Sequence, residues 1–126
     1  MLHQVTDAAQ GILPRIARVY DVRNFEPGTI RGFHLHRREW KAFHVAVGAA
    51  KFAVRREGGG ELLTFVLTDR NPRLLVVPPG HYNGWRALEP NTLLFGFSSA
   101  TIEESLRDDE RVDPFHFGDC WKVQGR

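Results

Sequence analysis

Short apolar runs separated by glycine and proline set the pattern of this chain. Runs at 15–22, 42–47, 51–56, 61–67, 73–77 and 92–98 are rich in valine, leucine and phenylalanine, and each has the length of a β-strand. Between them stand Pro27-Gly28, Gly48, Gly58-Gly59-Gly60, Pro72, Pro78-Pro79-Gly80, Gly84 and Pro90. Turn signals therefore recur about every ten residues, the spacing of a sandwich or barrel. Within 42–47, Phe43, Val45 and Val47 point one way and Ala42, His44 and Ala46 the other, as in a strand with two unlike faces. Only 101–109 reads as a helical turn or short helix, with Glu103, Glu104 and Arg107 at pairing distance. The triple glycine reads as a hairpin tip without chemistry. The pattern predicts an all-β protein built as a double-sheet jelly roll.

Composition narrows the class without changing that picture. A chain of 126 residues fits one domain spanning 1–126. With 42% hydrophobic and 25% charged residues it reads as a soluble globular protein. A chain of this size buries roughly two-thirds of its unfolded surface and needs no staples. Cys120 is the single cysteine, so no internal disulfide forms. Without a recognisable secretory leader, the expected setting is the cytoplasm. No apolar run approaches the roughly 20 residues of a membrane-spanning helix, so no membrane partner is expected. Net charge is +2, and 14 of the 17 basic residues are arginines, which fits an anionic partner. The arginines are scattered rather than striped with aromatics, so nucleic acid is not the expected partner.

The chemistry begins at Arg31-Gly32-Phe33-His34-Leu35-His36, with His44 close behind. Residues two apart on a strand share a face, so His34 and His36 point into the same space. Two imidazoles inside a barrel make a polar site or a metal site, because unpaired buried imidazoles cost free energy. His-x-His on such a strand also suggests the cupin metal motif, which adds a glutamate six residues before a glycine and a histidine from Pro-x-Gly-x-x-His. Lys41 stands near the glutamate's place and Asn83 at the third histidine's. A cation repels a divalent metal and an amide replaces imidazole poorly, so no metal is expected. Glu39 and His81 lie nearby but off-register. His3 and His116 have no motif context and read as surface residues.

These motifs together resemble a known family. Arg31-Gly32-Phe33-His34, then Lys41 seven residues before Gly48, then Pro78-Pro79-Gly80 leading to Gly84-Trp85, resembles the dTDP-4-dehydrorhamnose 3,5-epimerases. Those are cupin-fold enzymes acting on nucleotide-linked 4-keto-6-deoxy sugars without metal or organic cofactor. The resemblance runs from Ile30 to Trp121 and marks this chain as a short, divergent member. It implies a cupin-type double-stranded β-helix, an isomerase of deoxysugar biosynthesis, a dTDP-sugar substrate, no cofactor and a homodimer. It carries the catalytic base onto His34, the phosphate-contacting arginine onto Arg31, and the lysine that stabilises negative charge onto Lys41. It carries the aspartate that pairs with the histidine onto Asp113. His44, Tyr82, His81 and Asn83 stand as further candidate substrate contacts.

The residue types suit the reaction. Removing a proton beside a keto group needs a base near neutral pKa and a cation or donor at the enolate oxygen. A histidine backed by a carboxylate is such a base, and Lys41 supplies the charge. Two positions depart from the pattern: Ala100 and Thr101 stand where the family's tyrosine acid belongs, and Asn83 replaces a family histidine. A related branch, the dTDP-sugar 3,4-ketoisomerases, carries Arg-Gly-x-His-x-His and uses both histidines, which would make His36 catalytic as well. Arg18-Val19-Tyr20 resembles that branch's upstream segment, whereas Asp113-Pro114 to Trp121 resembles the epimerases. A catalytically inactive, sugar-nucleotide-binding cupin is the alternative outside enzymes.

Overall fold

The structure, a computed structural model, describes residues 13–122; His3 lies outside the described residues. Two antiparallel sheets carry nearly everything. Strands β1 (Arg18–Asn24), β3 (Lys41–Val47), β6 (Leu75–Val77) and β8 (Thr92–Ser98) form a four-stranded sheet in the order β1-β8-β3-β6. Strands β2 (Ile30–His36), β4 (Ala49–Arg56), β5 (Leu63–Thr68), β7 (His81–Ala87) and β9 (Glu110–Arg111) form a five-stranded sheet in the order β5-β4-β7-β2-β9. One short helix, α1 (Ile102–Arg107), precedes β9. This is the jelly-roll architecture that the spacing of turns predicts.

Burial follows the alternation. Phe43, Val45, Val77 and Leu94 of the first sheet meet Phe52, Val54, Leu67 and Trp85 of the second in one buried cluster between the sheets. Val47 departs from its expected face. A bulge against β8, where Val45 pairs with Leu94 and Val47 with Leu93, reverses the parity and leaves Val47 44% exposed.

A second cluster lies on the outer face of the five-stranded sheet, where the C-terminal segment covers it. Phe33, Ala53 and Trp121 are its buried members, with Tyr82, Val112 and Phe117 packed alongside. The Trp121 indole N–H donates to the Pro114 carbonyl at 2.7 Å, and its ring lies 5.2 Å from Phe33. Gly84 makes this packing possible, since a Cβ there would come within 3.1 Å of the Trp121 ring and 2.9 Å of the Arg31 carbonyl. Helix α1 starts as a capping box. Thr101 accepts from the Glu104 N–H, and the Glu104 carboxylate accepts from the Thr101 N–H.

Candidate functional site

A bulge in β2 builds the site. Arg31 pairs with Trp85 and His34 with Asn83, so three steps on β2 match two on β7. The extra residue puts Arg31, His34 and His36 on the face shared by Trp85, Asn83 and His81. As expected, the two histidines share a face, their rings nearly parallel and 6.4 Å apart.

Strand β9 pairs with the other edge of β2, with Arg111 opposite His34, and so delivers Asp109 to the histidines. Asp109 Oδ1 lies 3.2 Å from His34 Nδ1 and 3.4 Å from His36 Nε2. Its Oδ2 accepts from Arg111 Nε at 2.8 Å. Burial works against the Asp109 charge, but these hydrogen bonds hold its carboxyl below the usual range. A carboxylate at His34 Nδ1 places the N–H there and leaves the Nε2 lone pair as the base. Burial pushes His34 below its ordinary pKa, with the Asp109 bond opposing, so the ring is neutral at pH 7. His36 is set differently. Its Nε2 also approaches Glu39 Oε1 at 3.6 Å and Ser105 Oγ at 3.5 Å, and its Nδ1 is buried without a partner. The His34 side chain is 31% exposed and that of His36 only 5%, so His34 is the histidine open to a ligand.

The facing sheet contributes cations. Arg18, Ser98 and Lys41 stand side by side on β1, β8 and β3. Burial lowers the Lys41 pKa from its ordinary value while Glu39 pulls it back. Glu39 lies in the link between β2 and β3, where Asp108 accepts from the N–H groups of Arg37, Arg38 and Glu39 at 2.9, 2.8 and 3.2 Å. Burial also opposes the Asp108 charge, yet those three amides bring its pKa down. Tyr20 lies across Gly96 on β8, in space that any Cβ at 96 would take from its ring. Burial pushes its phenol up to about 12, so it stays protonated through neutral pH.

Several sequence assignments land elsewhere. Asp113 is exposed and its carboxylate accepts from the Phe115 N–H at 2.8 Å. The aspartate that pairs with His34 is therefore Asp109, because the β2–β9 pairing ends before Asp113. His44 lies on the outer face of β3, its Nδ1 3.4 Å from the Arg73 carbonyl, so the alternation that buries Phe43 and Val45 turns it away. Tyr82 alternates outward too and packs edge-on to Phe117 at 5.2 Å. His81 begins β7 opposite His36, but its Nδ1 turns to the Pro78 and Pro79 carbonyls at 3.2 and 3.1 Å. Asn83 is buried, and its amide donates to the His34 carbonyl at 3.3 Å, bracing the strand. Arg31 keeps its guanidinium exposed while its Nε donates to Asn24 Oδ1 at 3.2 Å. His116 is exposed, as read.

The motifs assigned no role to Asp109, which now meets the histidines. Glu39 had stood only as an off-register neighbour of the metal motif, and Arg18 and Tyr20 only in the segment that resembles the ketoisomerases. Strand alternation is what aligns Arg18 with Tyr20 and His34 with His36. The donors do not fit a divalent cation. Arg111 holds Asp109, Arg18 approaches Glu39, and the Lys41 ammonium stands 4.0 Å from Glu39 Oε2.

Comparisons with known proteins agree with this architecture. The family model described as the polysaccharide biosynthesis C-terminal domain matches residues 17–109. The spore coat polysaccharide biosynthesis protein SpsL of Bacillus subtilis (strain 168) is 27% identical over 109 residues, covering 79% of this chain and 72% of that one. Among solved structures, the dTDP-4-dehydrorhamnose 3,5-epimerase of Bacillus anthracis, with TDP and pyrophosphate bound, superposes with a TM-score of 0.73 at 24% identity, over 82% of this chain and 63% of that one. The sugar 3,4-ketoisomerase QdtA of Thermoanaerobacterium thermosaccharolyticum, in complex with TDP, gives 0.66 at 21%, over 79% and 69%. This chain spans 52 to 63% of the length of two epimerases it superposes on. The fold is that of the cupin epimerases. No helix among the described residues is long and apolar enough to cross a membrane.

Proposed function

The chain belongs to the polysaccharide biosynthesis C-terminal domain family, and we propose that it is a cofactor-free isomerase that epimerises a nucleotide-linked 4-keto-6-deoxy sugar. The observation that carries this reading is the His34–Asp109 pair on one sheet with the buried Lys41 ammonium on the other. A sugar held between the sheets presents one face to each. His34 Nε2 removes the proton next to the keto group, and Asp109 stabilises the imidazolium that results. Lys41 takes up the charge that develops on the enolate oxygen. Inversion then needs a proton from the opposite face. Of the chain's two tyrosines, Tyr82 faces outward, which leaves Tyr20 as the phenol on the facing sheet. The exposed guanidinium of Arg31 is the contact for the diphosphate, and TDP in the two superposed structures supports a dTDP-sugar.

One observation favours a second reading. Two nearly parallel histidines on one face suit a 3,4-ketoisomerase, which moves protons between neighbouring carbons. The burial of His36, with its Nε2 set between two carboxylates, weighs toward the epimerase. Incubation with dTDP-4-keto-6-deoxyglucose, followed by NMR, tests the proposal. A product inverted beside the 4-keto group supports the epimerase, a 3-keto product supports the second reading, and unchanged substrate counts against both. We also propose a homodimer, since edge strand β5 exposes Leu63, Phe65 and Val66. Sedimentation as a monomer at micromolar concentration would refute that.

A further inference from the structure

Glu39 takes no part in the proton transfers above, yet its side chain is only 1% exposed, less than any charged group around it. It stands where the β2–β3 link meets the inner faces of both sheets. Its Oε2 accepts from Ser98 Oγ at 2.6 Å and lies 3.4 Å from Arg18 Nη2 and 4.0 Å from Lys41 Nζ. Its Oε1 lies 3.6 Å from His36 Nε2. The serine bond has the short length of a charge-assisted O–H···O⁻ bond and fixes the carboxylate's orientation. A carboxylate removed from water in this way persists only where cations and donors surround it.

We propose that Glu39 is a positioning residue that keeps the Lys41 ammonium charged and directed across the interior, and steadies His36 behind Asp109. The catalytic meaning rests on the isomerase reading, whereas the claim about Lys41 concerns the protein without substrate. The surrounding charges single Glu39 out. Lys41 is faced by Arg18 from β1, His34 and His36 from β2, Asp109 and Arg111 from the segment after α1, and Glu39 from the link. Arg18 and Arg111 oppose its charge, and Asp109 is already bonded to Arg111. Glu39 is the nearest counter-charge left, and burial otherwise favours the neutral amine, which cannot hold an enolate. Asp108 supports the arrangement by gripping the amides of the link that carries Glu39.

The chain has three lysines, so a sample labelled with ¹³C at lysine Cε gives few signals, and Lys41→Arg identifies the one from Lys41. In Glu39→Gln the titration midpoint of Lys41 should fall by about 1–3 pH units, with partial recovery in Glu39→Asp. Ser98→Ala keeps the carboxylate but frees it, and should shift the midpoint the same way by less; it decides the matter if Glu39→Gln does not fold. With a 4-keto sugar nucleotide, the basic limb of kcat/KM should move to lower pH while KM changes little. An unchanged Lys41 midpoint overturns the proposal whatever the substrate. A shifted midpoint in a protein whose wild type turns over no such sugar upholds the positioning of Lys41 and overturns the isomerase reading instead.

Discussion

Replacing Asp109 with asparagine separates the site seen in the structure from the one the family motif implies. The substitution keeps size and shape but removes the charge that His34 Nδ1 and His36 Nε2 approach at 3.2 and 3.4 Å. A hydrogen bond to a charged partner contributes about 1.5–3 kcal/mol. The Asp109 side chain is 16% exposed, so solvent screens little of it. If that stabilisation is felt when His34 becomes imidazolium, turnover falls by roughly 10- to 100-fold. The acid limb of the pH profile should also move down. Burial already lowers the His34 pKa, and Asp109 opposes that fall, so its loss lowers the value further. Steady-state epimerisation followed by NMR across pH measures both effects. Asp113→Asn serves as the comparison, because its exposed side chain meets only the Phe115 N–H, which an asparagine oxygen also accepts. Wild-type turnover in Asp109→Asn, or a larger loss in Asp113→Asn, would refute the assignment.

Three further outcomes follow from the same geometry. Lys41→Ala should reduce turnover by about 10²–10³, with TDP affinity by calorimetry nearly unchanged; equal losses in both would make Lys41 a binding residue. Gly96→Ala puts a methyl into the Tyr20 ring, and such overpacking costs about 1–3 kcal/mol. Its melting temperature should drop and inversion should fail, and a wild-type melting curve would show that Tyr20 lies elsewhere. Burial holds both His34 and His36 below 6.5, so the unfolded chain binds more protons than the folded one once pH falls below that value. Their contribution to stability is therefore complete above pH 6.5 and declines as pH falls toward their folded values. Urea midpoints should be lower at about pH 5.5 than at about pH 7.5, and the double variant His34→Gln/His36→Gln should flatten that slope.

Strand spacing was legible because β3, β4 and β8 carry dense apolar residues between glycine and proline, and α1 was legible through Glu103, Glu104 and Arg107 at helical pairing distance. Strand β7 was not legible. Its inner face holds His81, Asn83 and Trp85, and its outer face includes a glycine that admits Trp121, so no apolar alternation shows. The shared face of His34 and His36 came from strand period alone. The third member of that face, Arg31, joined it through a bulge that no periodicity announces. Asp109 was hidden for a related reason. Its place depends on β9, only two residues long, pairing with a strand some 75 positions earlier. Motif order instead pointed to Asp113, four residues on, where the chain has already turned away. Glu39 looked like an off-register metal ligand, and the fold instead sets it beside cations, 3.4 Å from Arg18 and 4.0 Å from Lys41.

The central claim is that His34 takes a proton from the carbon beside a keto group. The direct measurement is ¹H NMR of dTDP-4-keto-6-deoxyglucose with the protein in deuterated water, for wild type and His34→Gln side by side. The account predicts loss of the proton signal next to the keto group with wild type, and a rate lower by about 10²–10⁴-fold with His34→Gln, while TDP binding persists in both. Exchange at the wild-type rate without His34 would contradict the account, as would a wild type that binds TDP and exchanges no proton.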